Sequence, residues 1–190
     1  MARPAASLLV MRREGTETRL LMARRNKAHR FMPNVLVFPG GAVDAADYQT
    51  RAASPLKPSV RTRLERGVEP RLAHALACAA ARELTEEVGL SLGDPPHLQA
   101  LEYMCRAITP PDRSIRFDAH FFLVDAAAVS GALRASDELE EPGWYTVEEA
   151  LAGELAAATK AVLGQFQRWL TLHDRDGLVP VLRDRVWTHE

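Results

Sequence analysis

The sequence predicts an α/β (α+β) fold with a largely antiparallel or mixed β-sheet. Several short apolar runs end at turn residues, which is typical of strands. Other segments begin with proline and end with glycine, which is typical of helices. The two kinds of segment are mixed along 190 residues, a length that suits one domain spanning 1–190.

Six apolar runs predict the strands. SLLVMRR and TRLLMARR flank residues 14–17 and predict a β-hairpin. NVLVF (34–38) predicts a third strand that ends at the turn signal Pro39-Gly40-Gly41. Further strands are predicted at LQALEYMCRAI, RFDAHFFLVD and GWYTV.

Four segments predict helices. PSVRTRLERG begins at Pro58 and stops at Gly67, and a longer helix runs from about Pro70 to Gly89. VEEALAGEL and TKAVLGQFQRWLTLH predict two more near the end of the chain.

Composition predicts a cytoplasmic protein without nucleic-acid or membrane partners. The net charge is −1, so no general electrostatic field attracts polyanions. No apolar run has the length of a membrane span or of a signal peptide. The two cysteines, Cys78 and Cys105, are too few for a disulfide scaffold and are expected as buried apolar side chains.

The strongest chemical pattern lies in RELTEE, within the long predicted helix. Residues three and four apart share a helix face, so Glu83 neighbours both Glu86 and Glu87. Three adjacent carboxylates suit a hard cation such as Mg²⁺ or Mn²⁺. The alternative is a solvated acidic face whose charge is offset by Arg82.

The surrounding residues resemble the Nudix box. In GGAVDAAD and RELTEEVGL, Gly41 takes the first glycine position of that pattern, and the second half is matched completely. Asp47 stands where the pattern has Glu. The family usually has seven residues between this position and the Arg-Glu pair, whereas this chain has 34 (48–81), an insertion of 27 (34 − 7) that we place at about 48–74.

The likeness extends to one branch of the Nudix hydrolase superfamily. The split box, FMP before VFPGG, and RFDAHFFL are similar to the branch that contains the peroxisomal coenzyme A diphosphatases. The resemblance implies a mixed sheet between helices and hydrolysis of a nucleoside diphosphate linked to another group. Coenzyme A or acyl-CoA is the expected substrate. ADP-ribose, dinucleoside polyphosphates and nucleotide sugars are alternatives.

The resemblance also implies roles for individual residues. The expected ligands of Mg²⁺ or Mn²⁺ are Glu83, Glu86, Glu87 and the carbonyl of Gly41. Glu86 also counts among the catalytic residues, and Arg82 is expected to orient the box through salt bridges, with Asp47 as one partner. Glu138, six residues before Trp144, is the expected general base, with Glu140 and Glu141 as competitors.

A basic run before the box predicts where the substrate binds. Arg30 lies eight residues before Phe38, the arginine position of the family's coenzyme A signature, although Asn34 replaces a glycine of that signature. Arg24 and Arg30 are expected to contact phosphates, and Phe31 to line an acyl or pantetheine channel. The alternative is a solvated loop between strands.

The insertion is basic, with six cations against two glutamates between residues 48 and 73, a local charge of +4 (6 − 2). We expect a short helix that flanks the site and either binds an anionic substrate or forms a surface flap. A homodimer is a further expectation from the family. A non-catalytic nucleotide-binding module is the remaining alternative, and the complete glutamate set argues against it.

Overall fold

A nine-stranded mixed sheet runs through the described residues, 1–27, 33–171 and 177–190, of this computed structural model. The strands of the chain are β1 (Arg3–Glu14), β2 (Glu17–Arg25), β3 (Leu36–Val37), β4 (Gly40–Ala42), β5 (Leu90–Ser91), β6 (Glu102–Ile108), β7 (Phe117–Asp125), β8 (Ser130–Gly131), β9 (Leu139–Tyr145), β10 (Pro180–Arg183) and β11 (Val186–His189). The helices are α1 (Pro58–Glu65), α2 (Pro70–Val88), α3 (Val147–Ala152) and α4 (Ala157–Thr171). β5 and β8 form a separate two-stranded ribbon.

The sheet is mixed, as the sequence predicted. Its main order is β11-β10-β6-β7-β1-β2-β3, with β4 also on β1 and β9 on β2. β1 pairs in parallel with β7, and β6 pairs in parallel with β10, whereas the other pairs of this sheet are antiparallel.

The predicted hairpin of β1 and β2 is confirmed, and its strands then diverge. They pair from Met11↔Leu20 to Glu14↔Glu17. Beyond that point β3 pairs with β2 and β4 pairs with β1, so residues 36–42 fill the gap between the two strands. The predicted third strand is therefore shorter than 34–38. Gly40 and Gly41 form a strand instead of ending one, because β1 supplies a long-range pairing partner.

The two faces of the sheet carry different helices. On β2, Leu21 and Ala23 pack in the core cluster that contains most of α2. Leu20 and Met22 lie on the opposite face, in the cluster that contains Phe166 of α4. Since strand side chains alternate between faces, this pattern also separates the arginines that follow at the end of β2.

The predicted insertion helix is present as α1, which packs against α2 and β6, and its place beside the site stays a prediction. Arg63 of α1 is 7% exposed and donates to the Tyr103 carbonyl of β6 at 2.6 Å. At 1.5 Å of rise per residue, Glu83 lies roughly 20 Å along α2 from Pro70, where α1 leads into α2.

Buried apolar residues explain the position of α1. Val60 and Leu64 are each 1% exposed and belong to the core cluster beneath α2. Three cations of the insertion make contacts of their own, in the pairs Lys57–Glu102, Arg61–Glu65 and Arg66–Gly177. Burial of the apolar stripe therefore places this helix.

Other element boundaries depart from the expectations in local ways. Thr146 caps α3 with a reciprocal capping box to Glu149, so the last predicted strand ends at Tyr145 instead of continuing to Val147. The start of LQALEYMCRAI is a 3₁₀ turn, Leu98–Ala100. β10 and β11 were not predicted.

Both cysteines are buried free thiols, as expected. His120 is also buried, and its Nδ1 lies 2.8 Å from the Tyr103 hydroxyl, in agreement with a structural histidine. Among the described residues, no helix is long and apolar enough to cross a membrane.

Candidate active site

The last two turns of α2 carry the acidic residues, and local signals fix this helix at both ends. Pro70 begins it, and Gly89 ends it in the left-handed conformation at φ 77°. Between them an alanine-rich stripe is buried against the sheet. Leu84 and Val88 continue that buried stripe, which leaves Arg82 and the glutamates along the neighbouring edge.

Arg82 uses its whole guanidinium inside the box. Nε and Nη2 donate to the two carboxylate oxygens of Asp47 at 3.0 and 3.1 Å. Nη2 also donates to the Ala42 carbonyl at 3.1 Å, and Nη1 donates to Glu83 at 2.8 Å and Glu86 at 2.9 Å. These five contacts occupy the five N–H donors of an arginine. Arg82 therefore forms salt bridges with Asp47, Glu83 and Glu86, and its orienting role stays a prediction.

A tight turn compensates for the side chain of Asp47, which is shorter than that of Glu. Asp47 is 1% exposed, and besides Arg82 it accepts from the Asp44 backbone N–H at 2.8 Å. The Asp47 N–H in turn donates to the Asp44 carbonyl at 3.1 Å. This tight turn brings the Asp47 carboxylate to Arg82 although it is one methylene shorter than Glu.

Glu87 is hydrogen-bonded to β4 (Gly40–Ala42), the glycine strand. It is 5% exposed, and its Oε2 accepts from the Gly40 backbone N–H at 2.7 Å. Burial raises the pKa of Glu87 to about 8 against the opposing effect of the Gly40 hydrogen bond, and the charge of Glu83 contributes to the rise. The acidic edge thus faces solvent only in part.

Glu83 lies against the second glycine of the strand. A Cβ atom built on Gly41 would overlap the Glu83 carboxylate. Burial raises the pKa of Glu83 despite the nearby Arg82. The absence of a side chain at Gly41 is therefore what allows the strand to approach this carboxylate closely.

Glu138 lies at the start of β9, where a short turn fixes its backbone. Its N–H donates to Ser136 Oγ at 3.3 Å, and its carbonyl accepts from the Asn26 N–H at 2.9 Å. Besides burial, the negative charge of Glu138 raises the pKa of both Glu83 and Glu87. The structure therefore brings Glu138 within electrostatic range of the box.

The two competitors of Glu138 are placed differently. Glu140 pairs with Arg24 in the β2–β9 ladder. Glu141 adopts a positive φ of 50° at the irregular part of this ladder, and its Oε2 lies 3.5 Å from Arg24 Nε.

The predicted substrate residues have mixed outcomes. Arg24 donates to the Asn34 carbonyl at 3.0 Å and pairs with Glu141, so it ties the end of β2 to its neighbours. Arg30 and Phe31 lie outside the described residues. Arg25, which the sequence did not single out, lowers the pKa of Glu87 against the larger effect of burial.

The carboxylates of the box suit a divalent cation. Oxygen donors in excess of cations, and a strand without side chains beside them, suit a hard metal ion. Among the described residues, however, no three acidic, imidazole or thiol side chains are already arranged as a metal site. The reason is that Glu83 and Glu86 point to Arg82, and Glu87 accepts from Gly40. The donor set fits, and coordination requires that these carboxylates turn.

The mixed sheet, the glycine strand and the carboxylate helix define a pyrophosphohydrolase of the Nudix type. The family model described as NUDIX domain matches residues 67–170, more than half of the chain, and the chain belongs to this family. The matched range begins after Gly41 and Asp47, which reach the site through strand pairing and through Arg82.

Solved structures agree with this assignment. A NUDIX hydrolase from Alicyclobacillus acidocaldarius is 25% identical, with a TM-score of 0.67 over 86% of this chain and 90% of that one. A MutT NUDIX hydrolase from Burkholderia pseudomallei is 24% identical, with a TM-score of 0.55 over 87% and 98%. An Ap4A hydrolase from C. elegans is 16% identical, with a TM-score of 0.53 over 88% and 98%. The last two show the fold alone. A comparison with curated proteins found no match.

Proposed function

We propose that this enzyme is a Mg²⁺- or Mn²⁺-dependent diphosphatase that cleaves coenzyme A or acyl-CoA into 3′,5′-ADP and a 4′-phosphopantetheine product. The observation that carries the hydrolase assignment is the saturated Arg82. Its five contacts gather Asp47, Glu83 and Glu86 beside the glycine strand. On a solvated acidic helix face the carboxylates would be hydrated, without one arginine connecting them to a second segment of the chain.

In this proposal Glu83, Glu86, Glu87 and the Gly41 carbonyl hold the cation. When bound, the cation supplies charge neutralisation for the diphosphate and lowers the pKa of a coordinated water. The protein contributes positioning, because the Gly40 N–H holds Glu87 and Arg82 fixes the edge of α2. Positioning and electrostatics dominate phosphoryl-transfer catalysis.

Glu138 is the proposed general base. It is exposed just before β9, and its charge acts on Glu83 and Glu87, which supports a role beside these carboxylates. A carboxylate in this position can accept the proton of the attacking water. The turn at Ser136 keeps its backbone in place.

Support for coenzyme A comes from the sequence. The split box and the arginine spacing at Arg30 are similar to the coenzyme A branch of the family. The two buried free thiols support a reducing, cytoplasmic compartment for the enzyme. The NUDIX domain of Shewanella oneidensis NrtR, complexed with ADP ribose, is 15% identical and shows the fold alone.

The test is a product assay with a panel of diphosphates. Coenzyme A, an acyl-CoA, ADP-ribose, NADH and a dinucleoside polyphosphate are incubated with Mg²⁺ or Mn²⁺, and products are separated by chromatography. The proposal predicts that 3′,5′-ADP is released from coenzyme A with the highest kcat/KM of the panel. Faster cleavage of ADP-ribose or of the dinucleoside polyphosphate assigns the enzyme to that substrate class. No cleavage of any compound would support a non-catalytic binding module.

A further inference from the structure

Two adjacent arginines end β2, and only one of them lies on the face of the carboxylates. Leu21 and Ala23 share the core cluster of α2, whereas Leu20 and Met22 share that of α4. Alternation along the strand places Arg25 on the α2 face and Arg24 on the other. The partner of Arg25 in the ladder, Leu139, also belongs to the α2 cluster.

The neighbouring arginines have no donors to spare or are held elsewhere. All five donors of Arg82 are used within the box. Arg24 is tied to the Asn34 carbonyl and to Glu141. These contacts leave neither arginine well placed to bind a phosphate at the glutamates.

Arg25 differs from both. Its backbone is fixed, because its N–H donates to the Val35 carbonyl and its own carbonyl accepts from the Asn34 N–H, both at 2.9 Å. Within the described parts of the chain, its half-buried guanidinium has no hydrogen-bond or ion-pair partner. A rigid strand therefore presents an open guanidinium.

Arg25 lies beside the acidic residues. It pairs with Leu139 in the β2–β9 ladder, and Glu138 is the residue before Leu139. Its side chain is on the face of the sheet that α2 covers, and α2 carries the other carboxylates. A diphosphate that approaches these carboxylates needs positive charge from the protein as well as from a cation.

We propose that Arg25, rather than Arg24, is the arginine of β2 that contacts the substrate, through phosphate oxygens of the diphosphate. The planar guanidinium can donate two parallel N–H···O bonds to one phosphate, which a lysine cannot reproduce. This assignment rests on the proposed diphosphatase function and adds a specificity residue for the diphosphate group.

The experiment compares Arg25→Gln with Arg25→Lys, Arg24→Gln and Arg13→Gln. Arg13 is an exposed arginine at the hairpin end of β1 and serves as the charge-matched control. Kinetics with coenzyme A and Mg²⁺ are combined with calorimetric binding of ADP. We expect R25Q to lose about 10- to 100-fold in kcat/KM, mainly through KM, and to bind ADP at least about tenfold more weakly.

The comparison variants distinguish contact from structure. R25K should retain part of the affinity for ADP, and R13Q should stay within about twofold of wild type in both assays. R24Q should lower Tm with little change in KM. R25Q within about twofold of wild type in both assays overturns the proposal, as does a larger loss of ADP binding in R24Q. If R25Q does not fold, undiminished ADP binding by R25K overturns it.

Failure of the proposed function is a separate outcome. If wild type cleaves no diphosphate, the diphosphatase assignment fails, while ADP binding by wild type, R25Q and R13Q still decides whether Arg25 contacts phosphate.

Discussion

Arg82 donates two parallel hydrogen bonds to Asp47, from Nε and Nη2 to the two carboxylate oxygens, although the two residues are 35 positions apart in the sequence. The pair is formed although Asp47 replaces the usual Glu and an insertion separates the halves of the box. Because the remaining donors of Arg82 go to Ala42, Glu83 and Glu86, this pair connects the loop after the glycine strand to the acidic edge of α2.

Replacing Asp47 with Asn should weaken this connection. The change removes the charge that faces Arg82 and puts an amide donor where a carboxylate oxygen accepts, so we expect a loss of about 1.5–3 kcal/mol in the free energy of unfolding. Urea unfolding measures it. Asp47→Glu should also destabilise, because Asp47 is 1% exposed and an extra methylene has no room. Unchanged stability in Asp47→Asn would contradict a structural role for the pair.

Replacing Gly41 with Ala should displace Glu83. The added Cβ would overlap the Glu83 carboxylate, so we expect kcat to fall at least about tenfold as the site loses its geometry. Gly164→Ala is the matched control, since no neighbouring atom lies within 4 Å of a Cβ there and alanine favours the helix. It should stabilise by about 0.5–1 kcal/mol without changing kcat. Equal activities of G41A and wild type would show that the close approach is not needed.

The insertion should contribute to stability more than to catalysis. Leu64→Ala empties a buried position of α1, and we expect a loss of about 2–5 kcal/mol in the free energy of unfolding with kcat/KM nearly unchanged. Arg61→Ala on the exposed side should change stability by less than about 0.5 kcal/mol. A fall in kcat/KM in R61A without loss of stability would instead show that the insertion contributes to substrate binding.

Stability should depend on pH through His120. Burial lowers its pKa from 6.5 to about 4, with Asp118 opposing and Arg106 reinforcing the shift, and Tyr103 is its hydrogen-bond partner. Between these values the unfolded chain binds more protons, so stability falls as the pH drops from 6.5 towards 4, by up to about 3 kcal/mol.

Urea unfolding at pH 7.5, 6 and 5 checks this dependence. His120→Gln does not titrate and should lose less stability over the same range, although it starts from a lower value. Carboxylates other than Asp118 affect both proteins alike, so the difference between the two slopes reports on His120 and its interaction with Asp118. Parallel slopes would mean that its pKa is the same in the folded and unfolded states.

The helix of the candidate site could be predicted because its signals are local. Pro70, Gly89 and the spacing of Glu83, Glu86 and Glu87 are all readable from adjacent residues. The burial of Glu87 could not be read in this way, because it depends on a hydrogen bond from Gly40, 47 positions earlier.

The same limit applies to the remaining differences. Gly40-Gly41 is typical of a turn in the local sequence, and its strand structure depends on pairing with the distant strand β1. Arg24 and Arg25 are chemically equivalent in the sequence, and only the packing of β2 between α2 and α4 tells their faces apart. The two ends of the insertion predict only that it begins and ends at the box, whereas the burial of Val60 and Leu64 fixes α1 against the core.

Metal-dependent turnover of coenzyme A by wild type and by Glu86→Gln tests the central claim most directly. Glu86 is exposed, so its replacement should leave the fold and Tm close to those of wild type while kcat falls at least about 100-fold. Wild type should lose activity with a chelator and regain it with added Mg²⁺ or Mn²⁺. Equal turnover by the two proteins, or turnover that survives complete removal of metal, would contradict the account.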